Sequence, residues 1–273
     1  MKTGGGGRYD PFFMGQRCLR ITRGFGYWCF KPQVILQALR QINENDILIY
    51  ADIGCEFVKK GRENLLKRLK ELNQEDFLKG FELDWQSSSQ CLEKFGYDLI
   101  EKTWTKMDIF DYFKAQTKPY ITATPQIAAT MMMIKCSKSL KFMQEWLDLF
   151  KTRFDLFDDS PSKMPNFDTF IENRHDQSVF SVMNKLYKLK NFLYKDIEPI
   201  YGANGTEFGI LCSRKSWDTM GHLFDLNGKA KFDLSAKVNV RSKTLKRFLY
   251  IGSRFLPSKK AKRQCRAWLS TMR

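Results

Sequence analysis

A chain of 273 residues that is 43% hydrophobic and 14% aromatic is long enough to bury a core, and this composition excludes a disordered chain. Seven scattered cysteines (Cys18, Cys29, Cys55, Cys91, Cys136, Cys212, Cys265) with no CxxC pair exclude a simple disulfide framework and the common zinc patterns, and they fit a reducing compartment. The net charge of +16 is concentrated at one end: Lys237 to Arg273 holds 12 of the 46 Lys and Arg and no Asp or Glu, which leaves 34 basic residues against 30 acidic before it.

From the N-terminus, Gly4 to Gly7 read as a flexible leader. They are not a phosphate-cradling loop, because no strand precedes them and no GK[ST] follows. The residues up to Thr22 show no clear period. From Arg23 the text becomes dense: RGFGYWCFKPQVILQALRQINENDILIYADIGC runs an aromatic–glycine turn into a helix opened by Pro32, with Val34, Ile35, Ala38, Leu39 and Ile42 at helical spacing. Tyr27 and Trp28 read either as packing under that helix or as part of a sugar or base platform. After the polar turn Asn43 to Asp46, the continuous apolar run Ile47 to Ala51 predicts a strand buried on both faces.

Gly61 to Leu72 reads as a charged surface helix. Gln74 to Gly96 has no decisive period, and QSSSQ (Gln86 to Gln90) reads as a loop. Thr105 and Asp108 in WTKMD have capping-box-like spacing and predict a helix start, with Phe110, Phe113 and Tyr112 packing inward. AATMMMI, within Tyr120 to Lys135, predicts a second buried strand with Met131 to Met133 as core. Ser137 to Phe154 predicts a helix with Leu140, Met143, Trp146, Leu147 and Phe150 on one face. Phe154 to Asn173 is a long loop rich in Asp, Ser, Pro and Asn, and a loop of that length in a compact domain points to function. It leads into Arg174-His175-Asp176-Gln177-Ser178, which opens a helix carrying Val179, Phe180, Met183 and Leu186. The alternation of strands and helices predicts an α/β fold with a largely parallel sheet.

Asp52 ends the first predicted strand, and in an α/β protein the carboxyl end of a buried strand is where ligands and metals are held. The residue two further on is Gly54, so a divalent cation is offered one carboxylate; the plain alternative is an Asp that caps a turn. Lys31 and Arg23, cations at a turn beside the strand tip, suit phosphate. His175, Asp176 and Gln177 stand between the long loop and a helix N-terminus. Asp176 there either caps the helix or acts in group transfer as base or nucleophile, with the neighbouring amide holding sugar hydroxyls. His222, one of two histidines, reads as structural, with completion of a metal site at Asp52 as the functional alternative. For Lys106 and Asp108, surface charge and helix capping suffice. In the C-terminal segment, KTLKRFLYIGSRFLPSKKAKRQCRAWL interleaves basic and apolar residues, which suits the interface of an anionic membrane; a solvated tail or a helix packed on the body is the alternative. No run approaches the ~18 apolar residues of a membrane span, and no secretory h-region opens the chain, so a cytoplasmic, membrane-peripheral body is expected.

Taken together, RGFGYWCFKPQVILQAL…NDILIYADIGC, EKTWTKMDIF (Glu101 to Phe110), TPQIAA (Thr124 to Ala129) and RHDQSVFS (Arg174 to Ser181) resemble a group of bacterial and viral glycosyltransferases with a GYWxWKP…D.L.Y.D.G pattern. The resemblance spans roughly Arg23 to Lys188 and rests on order, spacing and several rare aromatics agreeing, since each motif alone is weak. It implies a GT-A-like, Rossmann-type α/β domain over residues 23–236, with a mixed, largely parallel sheet flanked by helices, behind an irregular leader (1–22) and before a basic, aromatic, helical tail (237–273). The activity it implies is transfer of a sugar from a nucleotide sugar to a glycan or lipid-linked acceptor in surface polysaccharide or lipopolysaccharide synthesis. In its terms Asp52, with Gly54, occupies the strand-end metal or nucleotide position, and Arg23, Trp28 and Lys31 lie on the donor side. Asp176 and Gln177, supported by His175, match the polar pair near the transferred sugar. A divalent cation (Mn²⁺ or Mg²⁺) at Asp52 and a tail on the inner face of the membrane complete the implied picture.

Two departures stand out. Phe30 replaces a second Trp of the pattern, and only 22 residues precede Arg23, where such domains open with a strand–helix unit for the nucleoside base. The expectation is either a missing first unit, as slippage in a guanine tract encoding Gly4 to Gly7 would produce, or a differently built N-terminus. The competing readings are an inactive transferase fragment and a non-catalytic basic protein binding anionic membrane or nucleic acid. No nucleic-acid module is recognisable, so no nucleic-acid partner is expected.

Overall fold

A computed structural model describes residues 24–212. The leader 1–22, Arg23, His222 and the tail 237–273 lie outside the described residues. The chain divides into two units, Met1–Ser213 and Arg214–Arg273, and every described residue belongs to the first. In chain order its elements are α1 (Gly24–Tyr27), α2 (Phe30–Gln41), β1 (Ile47–Tyr50), β2 (Cys55–Phe57), α3 (Arg62–Leu69), β3 (Leu78–Glu82), α4 (Trp85–Phe95), α5 (Glu101–Trp104), α6 (Met107–Tyr112), α7 (Pro119–Thr122), β4 (Ile127–Ile134), α8 (Ser137–Thr152), α9 (Asp176–Leu186), β5 (Phe192–Leu193) and β6 (Ile210–Cys212).

The methionine-rich run forms β4, and all eight of its residues are buried because it is an inner strand of a sheet ordered β1-β4-β3-β5. Its neighbours β1 and β3 both run antiparallel to it, with Ile47 opposite Ile134 and Phe81 opposite Ala128. Among the described strands only β3 and β5 pair in parallel. The fold is therefore α/β with a mixed sheet, and the largely parallel arrangement expected from the sequence is corrected. A continuous apolar run reports that both faces of a strand are covered; it does not report the direction of the neighbour. β1 departs in a second way. It stands at the sheet edge among the described residues, with Ile47 exposed and Leu48 to Tyr50 half-buried, where burial on both faces was expected.

The segment 74–96 contains two elements that its sequence hides. β3 carries a buried lysine and a glycine: Lys79 has Nζ 3.9 Å from Asp76 and 5.4 Å from the Phe192 ring centroid. Gly80 sits at a register shift in the β3–β4 ladder, where a Cβ would come within 2.6 Å of Ile127. QSSSQ lies inside α4 rather than in a loop. Two of its three serines have partners, since Asp84 accepts from the Ser87 amide at 3.0 Å and hydroxyl at 2.9 Å, and Ser88 Oγ accepts from the Leu99 amide at 3.0 Å. Those bonds override the weak helix propensity of serine.

Helix α2 accommodates Pro32 in its first turn, where an intrahelical N–H bond is not required. It buries Ile35, Leu36 and Leu39, packs on α8 and β1, and leaves Val34 exposed. The apolar face of α8 buries Met143, Trp146, Leu147 and Phe150 as its spacing predicts. Helix α9 packs on β4, and its Phe180 also joins it to α8 through ring contacts with Phe142 and Trp146 at 6.0 and 5.3 Å. The charged α3 has no buried residue.

Candidate functional site

Three residues from three separate segments meet at the ammonium of Lys31. The first turn of α2 directs Lys31 inward, and its Nζ lies 2.7 Å from Asp176 Oδ2 and 3.0 Å from Asp52 Oδ1. Lys31 and Asp176 are buried at 5% side-chain exposure each, whereas Asp52 is 47% exposed. Asp52 follows β1 in a turn closed by the Cys55 amide donating to its carbonyl at 2.8 Å, with Ile53 and Gly54 at the corners. Two positions earlier on the strand, the Tyr50 hydroxyl donates to Asp52 Oδ1 at 3.3 Å. Tyr50 reaches the same side because strand residues alternate.

The electrostatics of this cluster are unequal. Burial opposes the Lys31 charge, yet Asp176 and Asp52 more than offset it and hold the ammonium above its usual range. Burial pushes the Asp176 carboxyl up to about 6, against the pull of Lys31 and with a further push from the Asp52 charge. Burial likewise raises the Tyr50 phenol, which stays a neutral donor. One cation thus serves two carboxylates, and the more deeply buried carboxylate changes charge just below neutral pH. Strongly perturbed groups that cluster beside a half-open carboxylate make a candidate functional site.

The backbone around the cluster is strained. Tyr27, Trp28 and His175 have φ of 56°, 61° and 55°, a region that costs a non-glycine residue about 1–3 kcal/mol each. His175 touches both of the others: its ring is 4.8 Å from Tyr27 and stacks on Trp28 at 5.6 Å. His175 is buried, and its Nδ1 lies 2.7 Å from the Phe157 carbonyl, which can only accept, so Nδ1 carries a proton. Nε2 lies 3.6 Å from Asp159 in the long loop. Asp176 is not the N-cap residue of its helix; that position is His175, whose side chain makes no cap hydrogen bond.

A second polar assembly lies wholly inside the fold and joins the three downstream motifs. Glu101 is fully buried. Its Oε2 accepts from Lys185 Nζ at 2.6 Å and Ser181 Oγ at 2.5 Å, and its Oε1 accepts from Thr105 Oγ1 at 2.6 Å and Gln126 Nε2 at 3.1 Å. Ser178 Oγ donates to the Trp104 carbonyl at 2.6 Å, and Gln177 Nε2 donates to Gln126 Oε1 at 2.9 Å. EKTW, PQ and DQSVFS are thus bonded to one another, which fixes the start of α9 and hence the place of Asp176. Gln177 serves that wiring. Sequence reasoning missed Glu101, Gln126, Ser178 and Ser181; the polar residues spaced through otherwise apolar motifs were the available signal.

The WTKMD residues hold the long loop. Asp108 does not cap a helix: its carboxylate accepts the Lys163 amide at 2.9 and 3.1 Å and the Met164 amide at 3.4 Å. Lys106 is buried and donates to the Asp158 and Ser160 carbonyls at 3.2 and 3.4 Å. Beneath the pinned loop lies a cavity of about 540 Å³ whose lining includes Asp158, Asp159, Lys163, Phe170, Glu172 and Lys106. Asp159, through His175, connects it to the Lys31 cluster.

The structure therefore brings together Lys31, Asp52, Asp176, His175 and Trp28 of the residues singled out from sequence, whereas Arg23 and His222 lie outside the described residues. Lys31 is enclosed between carboxylates, so its first task is to hold them. Among the described residues no group of three or more His, Cys, Asp or Glu is placed to hold a metal ion, and no helix is long and apolar enough to cross a membrane. No family model matches the chain, and no curated protein or solved structure matches it either.

Proposed function

We propose that this chain is a GT-A-like glycosyltransferase that takes a nucleotide sugar as donor and a glycan or lipid-linked saccharide as acceptor, working at the inner face of a membrane in surface polysaccharide or lipopolysaccharide synthesis. One observation carries the reading: Asp52 and Asp176 converge on Lys31 within hydrogen-bonding distance, the three coming from three motifs of the transferase pattern, beside the strained backbone of Tyr27, Trp28 and His175. Such strain persists at sites whose geometry matters to function.

In this reading the half-exposed Asp52 faces the donor. A divalent cation of the Mg²⁺ or Mn²⁺ kind would be held by Asp52 together with the donor's own phosphates, the arrangement suited to a site offering one carboxylate and no protein cage. When bound, the cation neutralises the diphosphate as it leaves. Lys31 fixes the two carboxylates, and Asp176, close to neutrality in its pKa, orients or deprotonates a sugar hydroxyl. Trp28, half-buried on His175, supplies an aromatic face beside them. The loop cavity suits the acceptor. Its charged lining holds two lysines, Lys106 and Lys163, against Asp158, Asp159 and Glu172, an acidic balance that favours neutral hydroxyls over phosphate. The basic tail, interleaved with aromatics, supports the membrane placement.

The test is binding and hydrolysis of a panel of nucleotide sugars with and without Mn²⁺, on wild type, Asp52→Ala and Asp176→Asn. Binding by wild type that is lost in Asp52→Ala, and turnover lost in Asp176→Asn, are expected. Nucleotide binding that ignores Asp52→Ala would overturn the site, and absence of any nucleotide binding would leave the non-catalytic basic protein as the better reading. Full-length protein should co-sediment with anionic vesicles and be released by salt.

A further inference from the structure

Cys55 opens β2 and Cys212 closes β6, and the antiparallel ladder sets them directly opposite each other. Their amides are spent elsewhere, Cys55 N–H on the Asp52 carbonyl at 2.8 Å and Cys212 N–H on the Ile197 carbonyl at 2.6 Å. They are thus a non-hydrogen-bonded pair, the kind in which Cα atoms approach to about 4.5 Å. That separation falls within the range a disulfide spans. The two Sγ atoms lie 2.9 Å apart and carry no disulfide. Cys29, Cys91 and Cys136 are buried, while Cys55 is partly open to solvent.

We propose that Cys55 and Cys212 are a dithiol modification site that a low-molecular-weight disulfide of the glutathione type converts into an intramolecular bond. The roles within the pair are asymmetric. The hydrogen bond from Cys212 pushes the Cys55 thiol down, and the same contact, with burial, pushes Cys212 up. Cys55 is therefore the attacking thiolate. It displaces one small thiolate from the reagent, forming a mixed disulfide. Cys212 then loses its proton, attacks the Cys55 sulfur and expels the second small thiolate. Two protein thiols are oxidised, one small disulfide is reduced to two thiols, and the two protons pass to those thiols.

The bond would join residues 157 apart in sequence and fix the first residue after the Asp52 turn. Oxidation would then lock the turn that presents Asp52, whatever that carboxylate binds, so the inference stands apart from the transferase reading.

Full-length protein is equilibrated across graded ratios of reduced to oxidised glutathione, remaining thiols are alkylated in denaturant, and peptides are identified by mass spectrometry. The expected product is a Cys55–Cys212 crosslinked peptide, with Cys29, Cys91 and Cys136 still alkylated. Cys212→Ser should instead accumulate Cys55 as a glutathione adduct, while Cys55→Ser should leave Cys212 unmodified. The proposal falls if wild-type Cys55 accumulates as the adduct to the same extent as in Cys212→Ser, if it stays reduced throughout, or if the dominant crosslink joins other cysteines. The wild-type measurement decides the matter even where a variant folds poorly.

Discussion

Glu101 and Asp176 are both buried carboxylates paired to a buried lysine, and both pairs involve α9: Asp176 comes from its first turn, and Lys185 from its last. Around Glu101 four side chains close in. Two hydroxyls, an amide and an ammonium satisfy its oxygens, and Lys185 spends further hydrogens on the Ile121 and Thr124 carbonyls. Around Asp176 the lysine is shared with a second carboxylate that is half in solvent, and the flanking backbone is strained. The same chemical pair is closed in one place and open in the other. A closed network specifies a core; an open one, with a titration near neutral pH, is poised to exchange a partner. The comparison links the three downstream motifs, since they build the closed network that sets the open one in place.

The largest effect should come from breaking the closed pair. Glu101→Gln leaves Lys185 charged and buried without its counter-ion, which should cost about 3–5 kcal/mol of folding stability. Denaturant unfolding checks this, and a cost below about 1 kcal/mol would show that the network is not closed in the sense argued. Glu101→Gln combined with Lys185→Met should recover part of the loss, because the stranded charge is gone.

Asp176→Asn should instead leave folding largely intact and, in the proposed transferase reading, lower turnover by on the order of 10²-fold or more, the range for a lost acid–base group. Its pH signature has a definite sign. An unfolded aspartate loses its proton near ~3.9, while the folded Asp176 keeps it until about 6. Between those values the folded state binds more protons, so wild-type stability should fall as pH rises through that window, relative to Asp176→Asn. A difference between the two proteins that is flat from pH 4 to 7 would overturn the assignment.

Asp108→Asn should weaken the hydrogen bonds that two loop amides, Lys163 and Met164, donate to its carboxylate. Hydrogen bonds to a charged group contribute roughly 1.5–3 kcal/mol each, part of which the neutral amide keeps. Hydrogen exchange should therefore speed up at Lys163 and Met164 with little change in α9. If the whole domain loosens equally, the loop is not a separate unit.

Much of this was legible in the text of the chain, and the gaps have physical causes. The run AATMMMI identified β4, and 3.6-residue spacing identified α8 and α9. β3 escaped because a buried lysine and a bulge glycine break its apolar pattern. The serines of α4 look like a loop until Asp84 and Leu99 are seen to occupy two of them. Lys31, Asp52 and Asp176 could each be picked out by their position at a turn, a strand end and a helix start. That they share one ammonium is a tertiary fact with no local signal, and it changes Lys31 from a phosphate contact into the holder of two carboxylates. Asp108 was misread for a related reason: capping-box spacing is local, whereas the amides it binds lie 55 and 56 residues away.

The smallest effect should fall on the open side of the comparison. Asp52→Asn removes a half-exposed charge, and Lys31 retains Asp176 at 2.7 Å, so the stability change should stay within about 1 kcal/mol. Its consequence is electrostatic. The negative charge of Asp52 is one of the causes that lift the Asp176 carboxyl, and its removal also leaves Lys31 undivided. Both changes favour the ionised carboxylate, so the Asp176 titration should move down from about 6 toward its ordinary range. A side-chain carboxyl titration followed by NMR reads this directly. A midpoint that stays put would mean that Asp52 and Asp176 do not share the lysine in solution, and the open cluster would then be two independent pairs.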